Sequence, residues 1–66
     1  SVGLMSDSEV IIEFIRQGRF VKVTAVDPVT GIEASIVGDP NTSPTTLQQL
    51  AVKKLRYVMN KQQEKP

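Results

Sequence analysis

The sequence predicts an α+β fold in which a three-stranded antiparallel β-meander is packed on one face by a single C-terminal α-helix. Two observations favour this class. Apolar residues recur with a period of two in three short segments before residue 38. After residue 43 the apolar spacing changes to that of a helix. A chain of 66 residues is long enough for one domain and too short for two.

The predicted strands cover residues 9–16, 20–27 and 32–37. Each is rich in β-branched residues and is bounded by residues that favour turns. If residues 17–18 form a two-residue loop, Ile15 lies opposite Phe20. The proline and glycine of segment 28–31 favour a second turn, which places Ala25 opposite Ala34.

These two registers also pair Glu13 with Lys22, Val23 with Ile36, and Thr24 with Ser35. Both registers place the same set of apolar residues on one side of the sheet, and a slip of one residue in either hairpin would move part of that set to the other side. Eight apolar residues then share the face expected to be covered: Val10, Ile12, Phe14, Val21, Val23, Ala25, Ala34 and Ile36.

The predicted helix follows an N-cap at Ser43 and a proline at the first helical position, Pro44. It runs from Thr45 to about Lys61, and five residues at helical spacing are expected to face the sheet: Leu47, Leu50, Ala51, Leu55 and Val58. We therefore expect a single domain over residues 9–61. Residues 1–8 are expected to be a disordered tail or a non-native remnant, and residues 62–66 a frayed tail.

Composition limits the possible functions. The chain has no cysteine or histidine, so the common nucleophilic triads and zinc sites are not available. Glu13 and Glu33 share the sheet face opposite the predicted helix, with Lys22 between them, a pattern typical of a neutralised ladder and not of a catalytic pair. We expect no enzyme activity, no cofactor and no metal. No apolar run is long enough for a bilayer, and no signal peptide is evident, so a cytoplasmic protein is expected.

One helix can cover only one side of the sheet, and the other side is about half apolar. A small domain without disulfides or a metal often gains stability from a partner chain. We therefore predict an interface, with a second copy or with another protein, at Ile11, Ile15, Phe20, Val26 and Val37. The simpler interpretation is that scattered apolar residues are normal on a protein surface. An alternative dimer would use Val52, Tyr57 and Met59 beside the core stripe of the helix.

Nucleic-acid binding is the competing function. The topology resembles the C-terminal two-thirds of double-stranded RNA-binding domains and the three-stranded DNA-binding domains of integrases, and segment 27–33 is similar to a hairpin of some integrase arm-binding domains. However, the net charge is only +1, segment 43–46 has no cation, and Glu13 and Glu33 would repel phosphate on the open face. The candidate phosphate contacts are Arg16, Arg19, Lys53 and Arg56.

A longer stretch of the sequence carries a more specific resemblance. The strings IEF at 12–14, VKVTAVDPVTG at 21–31, SIVGDP at 35–40 and LAVKKLRYV at 50–58 agree with it in order, spacing and identity. They resemble a family of short alphaproteobacterial proteins of unknown function. The resemblance implies a stand-alone small bacterial protein, and it assigns no activity, cofactor or site residue.

Overall fold

The computed structural model of the chain describes residues 2–5, which form a strand, and residues 9–63. It contains one antiparallel sheet in the order β1-β2-β3-β4, followed by one helix. The elements are β1 Val2–Met5, β2 Val10–Gln17, β3 Phe20–Val26, β4 Glu33–Gly38 and α1 Pro44–Gln63. The predicted α+β class is confirmed, since β2, β3 and β4 form the expected meander and α1 packs on it.

β1 is a fourth strand, and it lies where a disordered tail was expected. It pairs antiparallel with β2, with Gly3 opposite Ile12 and Met5 opposite Val10. Glu9, directly before β2, has a φ of 50°, which is uncommon for a residue other than glycine. Four residues are too few to show a clear alternation in sequence, so this strand depends on pairing with the edge of β2. Residues 1 and 6–8 lie outside the described part of the chain.

The first hairpin turns one residue later than expected. Gln17 lies opposite Phe20, so Gly18 and Arg19 form the loop, and Ile15 faces Lys22 where Phe20 was predicted. Gly18 has a φ of 60°, and a glycine with positive φ suits the first central position of a tight hairpin loop. The predicted pairing of Glu13 with Lys22 is therefore wrong, because Glu13 lies opposite Thr24.

The predicted assignment of residues to the two faces of the sheet is correct despite this error in register. Moving the loop by one position displaces each pair by two residues along β3, and side chains two residues apart point to the same side. Of the eight residues predicted for the covered face, Val10, Ile12, Val23, Ala25 and Ala34 are buried, and Phe14, Val21 and Ile36 are partly buried against them.

The second hairpin has the predicted register, with Ala25 opposite Ala34 and Thr24 opposite Ser35. Asp27 organises its turn. The Asp27 carboxylate accepts hydrogen bonds from the backbone N–H of Thr30 at 3.0 Å and from its hydroxyl at 2.6 Å. The Gly31 N–H donates to the Asp27 carbonyl at 2.8 Å, and Gly31 has a φ of 78°. This local chemistry explains why the turn could be placed from sequence.

The helix begins at Pro44, as its sequence predicts, and extends to Gln63. The Leu47 N–H donates to the Ser43 carbonyl at 3.1 Å, the backbone bond expected at an N-cap position. Gln62 and Gln63 are helical where fraying was expected, and residues 64–66 lie outside the described range. The helix completes the core with four buried residues: Leu47, Ala51, Val52 and Leu55.

Leu50 was predicted to face the sheet and does not, since 48% of it is exposed. Val52 is buried in its place, and Val58 and Met59 pack against the core from the last turns of the helix. The packed side of α1 is thus rotated from the predicted stripe toward Val52 and Met59. The alternative dimer through Val52, Tyr57 and Met59 is therefore wrong for two of its residues, because Val52 is buried and Met59 packs against the core, while Tyr57 is 60% exposed.

Candidate functional site

The face of the sheet opposite α1 carries the predicted interface residues. α1 packs on β4 and β3 from one side, and no described element packs on the other. We call this second side the open face. In the rows that cross it, Ile15, Lys22 and Val37 are direct neighbours on β2, β3 and β4. Phe20 precedes this row on β3, opposite Gln17.

Three apolar side chains are exposed at the hairpin end of the open face. Ile15 is 39% exposed, Phe20 55% and Val37 64%. The three residues therefore lie near one another in the register. Lys22 lies between Ile15 and Val37, so the apolar patch surrounds a partly buried cation.

The next row is polar and divides the open face. It contains Glu13, Thr24 and Ser35. The Thr24 and Ser35 hydroxyls are hydrogen-bonded at 2.7 Å, and Thr24 is only 6% exposed. A buried hydroxyl needs such a partner, because leaving it unpaired costs free energy. Sequence reasoning placed these two residues opposite each other and did not identify their bond.

Ile11 and Val26 lie beyond this polar row, opposite each other and partly buried. Glu33 completes their row on β4, and Leu4 of β1 is the register partner of Ile11. The five predicted interface residues therefore share one face in two groups. Ile15, Phe20 and Val37 form the group with large exposed area, which we call the hairpin-end patch.

The four candidate phosphate contacts lie on two separate elements. Arg16 is near the first hairpin loop, where its Nε donates to the Gly18 carbonyl at 2.7 Å, and Arg19 is exposed within the loop. Lys53 and Arg56 are exposed on α1. The two arginines thus lie at the first hairpin loop, and the two helix cations lie elsewhere, on α1. The Arg16 side chain is already hydrogen-bonded to the loop backbone.

One contact between the helix and the sheet was not predicted from the sequence. The Lys54 Nζ donates to the backbone carbonyl of Ser35 at 2.7 Å, which joins α1 to the outer edge of β4. In the sequence, Lys54 is one of four cations of the helix and nothing sets it apart from the other three. Only the position of the helix beside β4 reveals this contact, so no local signal could have predicted it.

A metal site or a membrane span would need a cluster of ligands or a long apolar helix. Within 9–63 there is no group of three or more Asp or Glu side chains placed to hold a metal ion. Across the same part of the chain, no helix has the length and apolar character needed to cross a membrane.

The fold and this surface define a small α+β domain with one sheet face covered by its helix and one face open. The chain belongs to the family described as a domain of unknown function, DUF6898, whose model matches residues 7–62. No curated protein and no solved structure matches the chain. The expected membership in an uncharacterised family is confirmed.

Proposed function

We propose that this domain is a non-enzymatic protein–protein interaction module that forms a homodimer through its open face, in the cytoplasm of a bacterium. The observation that carries the proposal is the hairpin-end patch, in which Ile15, Phe20 and Val37 are exposed together. Exposed apolar patches of this kind often mark interfaces, because association removes their surface from water.

The size of the core supports the same proposal. Within residues 9–63 nine apolar residues are buried, and three of them are alanines, which bury little apolar area. A second copy seated on the open face would turn one sheet and its helix into two sheets with a helix on each outer side. Face-to-face sheets pack about 10 Å apart, so the apolar side chains of both copies would meet between them.

The test compares two substitutions of the same kind at different places. Phe20→Asp puts a carboxylate in the patch, whereas Val29→Asp puts one in the β3–β4 turn, where Val29 is 88% exposed. We expect wild type and Val29→Asp to be dimers by light scattering after size exclusion, and Phe20→Asp to be a folded monomer. Circular dichroism confirms the fold of each variant, since neither site contributes to the buried core.

A wild-type protein that stays monomeric at high micromolar concentration would reject self-association through this face. Dimerisation of Phe20→Asp with wild-type affinity would move the interface elsewhere. If instead the protein binds oligonucleotides at low salt, and Arg16→Glu with Arg19→Glu abolishes that binding while Phe20→Asp does not, the competing nucleic-acid function is supported.

A further inference from the structure

β4 is an edge strand of the sheet, and its outward backbone groups can be identified. The Ser35 carbonyl accepts a hydrogen bond from Lys54 on the helix, so it points away from β3. In an antiparallel strand the N–H and C=O of one residue point to the same side, and alternate residues repeat that direction. Glu33 and Val37 therefore also direct their backbone groups outward. Such an edge can pair with an additional strand.

A stripe of helix residues lies beside this edge. Leu50, Lys54, Tyr57 and Lys61 follow one another at spacings of four, three and four, so they share one side of α1. The contact of Lys54 with Ser35 places that side next to β4. Tyr57 is 60% exposed, and the Lys61 ammonium lies 5.8 Å from the centre of its ring. The edge and the stripe form two sides of a groove, which we call the β4–α1 groove.

The charge of the helix indicates what this groove would bind. α1 contains four cations, Lys53, Lys54, Arg56 and Lys61, and no aspartate or glutamate. The helical side of the groove is therefore lined by one sign of charge, whereas Glu33 of β4 lies in a row of the open face. A surface lined by one sign of charge attracts ligands of the other sign and discriminates against its own. An acidic ligand therefore fits the groove, and a basic one does not.

Pairing of a strand with β4 requires the Lys54 side chain to move. A strand that pairs with β4 must supply its own N–H to the Ser35 carbonyl, so it must displace the Lys54 ammonium. A displaced ammonium needs a new acceptor, and a carboxylate on the incoming strand would provide one. A lysine at a sheet edge otherwise protects that edge against unwanted pairing.

We propose that the β4–α1 groove binds an extended acidic segment of a partner protein by strand addition to β4. In the complex, Lys54 moves from the Ser35 carbonyl to a carboxylate of the bound segment. The acidic side chains of that segment point to the helix, where the aliphatic parts of those beside Lys54 contact Leu50 and Tyr57, and the alternate side chains point to the side of the open face. This surface is distinct from the open face, so the proposal holds whether or not the protein forms a dimer.

The test is an NMR titration of the labelled wild-type protein with two capped peptides, Glu-Val-Glu-Val-Glu-Val and Lys-Val-Lys-Val-Lys-Val. We expect the acidic peptide to shift the amides of Glu33, Ser35 and Val37 and to slow their hydrogen exchange. The basic peptide should do neither. Slowed exchange is the decisive reading, because only new backbone hydrogen bonds protect these edge amides.

Two lysine variants supply the matched comparison. Lys54→Met keeps the aliphatic part of the side chain and removes both the bond to the Ser35 carbonyl and the ion pair that replaces it. Because the bond to a carboxylate is the stronger of the two, binding of the acidic peptide should weaken, by less than about tenfold. Lys53→Met removes the neighbouring cation, which lies outside the stripe, and should change affinity much less. Equal affinities of the two variants would overturn the role of Lys54.

Other results would overturn strand addition itself. These are no response to the acidic peptide, an equal response to both peptides, or shifts restricted to the open face. A single-stranded oligonucleotide that shifts the helix amides, while the acidic peptide leaves the β4 amides unprotected, would assign the cations of α1 to phosphate binding.

Discussion

The two faces of the sheet are built from similar residues and have opposite environments. On the covered face, Val23 and Ala25 are completely buried beneath α1. On the open face, Val37 is 64% exposed although it directly follows a half-buried isoleucine in the same strand. Strand-forming residues therefore indicate where a strand lies, and the position of the helix decides which of them form the core.

The covered face is itself uneven, because α1 lies over β3 and β4. Val10 and Ile12 of β2 are buried, whereas Phe14, further along the same strand, is only partly buried. The open face differs in another way, since among the residues of β2, β3 and β4 that lie on it the best buried is the polar Thr24. Apolar contacts thus hold the covered face against the helix, whereas a hydrogen bond between two side chains holds the centre of the open face.

The largest expected effect comes from removing a core side chain of the covered face. Leu55 is 1% exposed, and Leu55→Ala should lower the free energy of unfolding by about 2–5 kcal/mol. Such a loss approaches the whole stability of a small domain, which is about 5 kcal/mol at the low end. Urea denaturation followed by circular dichroism measures the change.

Leu50→Ala is the matched control, because the same substitution is made on the same helix at a residue that is 48% exposed. It should cost less than about 1 kcal/mol. Equal losses in the two variants would contradict the position of α1, and a larger loss at Leu50 would restore the stripe predicted from sequence.

An intermediate effect is expected where the helix first meets the sheet. A Cβ added at Gly38 would collide with Leu47 Cδ2, and Leu47 is buried in the first turns of α1. Gly38 does not have a positive φ, so alanine suits its backbone and the collision is the main obstacle. Gly38→Ala should destabilise the fold by about 1–3 kcal/mol, again measured in urea.

A second variant separates the collision from any other effect of alanine. In a protein that already carries Leu47→Ala, the Leu47 Cδ2 atom is gone, so Gly38→Ala should cost little more. The two losses should therefore be clearly less than additive. Additive losses would show that Gly38 acts through its backbone and not through close packing.

The smallest expected effect lies on the open face. Thr24→Val keeps the shape of the side chain and removes the hydroxyl that is bonded to Ser35 at 2.7 Å. We expect a loss of about 1 kcal/mol, the usual net value of such a hydrogen bond. A cycle with Ser35→Ala measures the coupling between the two hydroxyls. A more stable Thr24→Val protein would show that the centre of this face favours apolar contact over the hydroxyl pair.

Several features of the fold followed from sequence because their causes are local. Asp27 and Gly31 determine the second turn, and with it the register of β3 and β4. Ser43 and Pro44 determine the start of the helix. The first turn was predicted one residue early, because a glycine can occupy either central position of a two-residue loop and the sequence around Gly18 does not decide between them.

The sequence predicted which residues share the face of the candidate site, and it did not predict which of them are neighbours across the strands. The period of two assigned Ile11, Ile15, Phe20, Val26 and Val37 to one face, and the structure agrees. The register in the structure places Lys22 within the hairpin-end patch. It also places a polar row between that patch and the second group, Ile11 and Val26. Arrangement depends on which residues meet across strands, so an error of one position in a loop changes every neighbour.

By itself, the sequence determined the three strands of the meander, the face on which each strand residue lies, and the presence of the helix. These properties follow from backbone geometry and from short-range turn and cap chemistry. Only the tertiary structure decided that β1 pairs with β2, that Val52 and not Leu50 enters the core, and that Lys54 reaches Ser35. The physical reason is that these contacts depend on the placement of whole elements against one another, which no residue encodes alone.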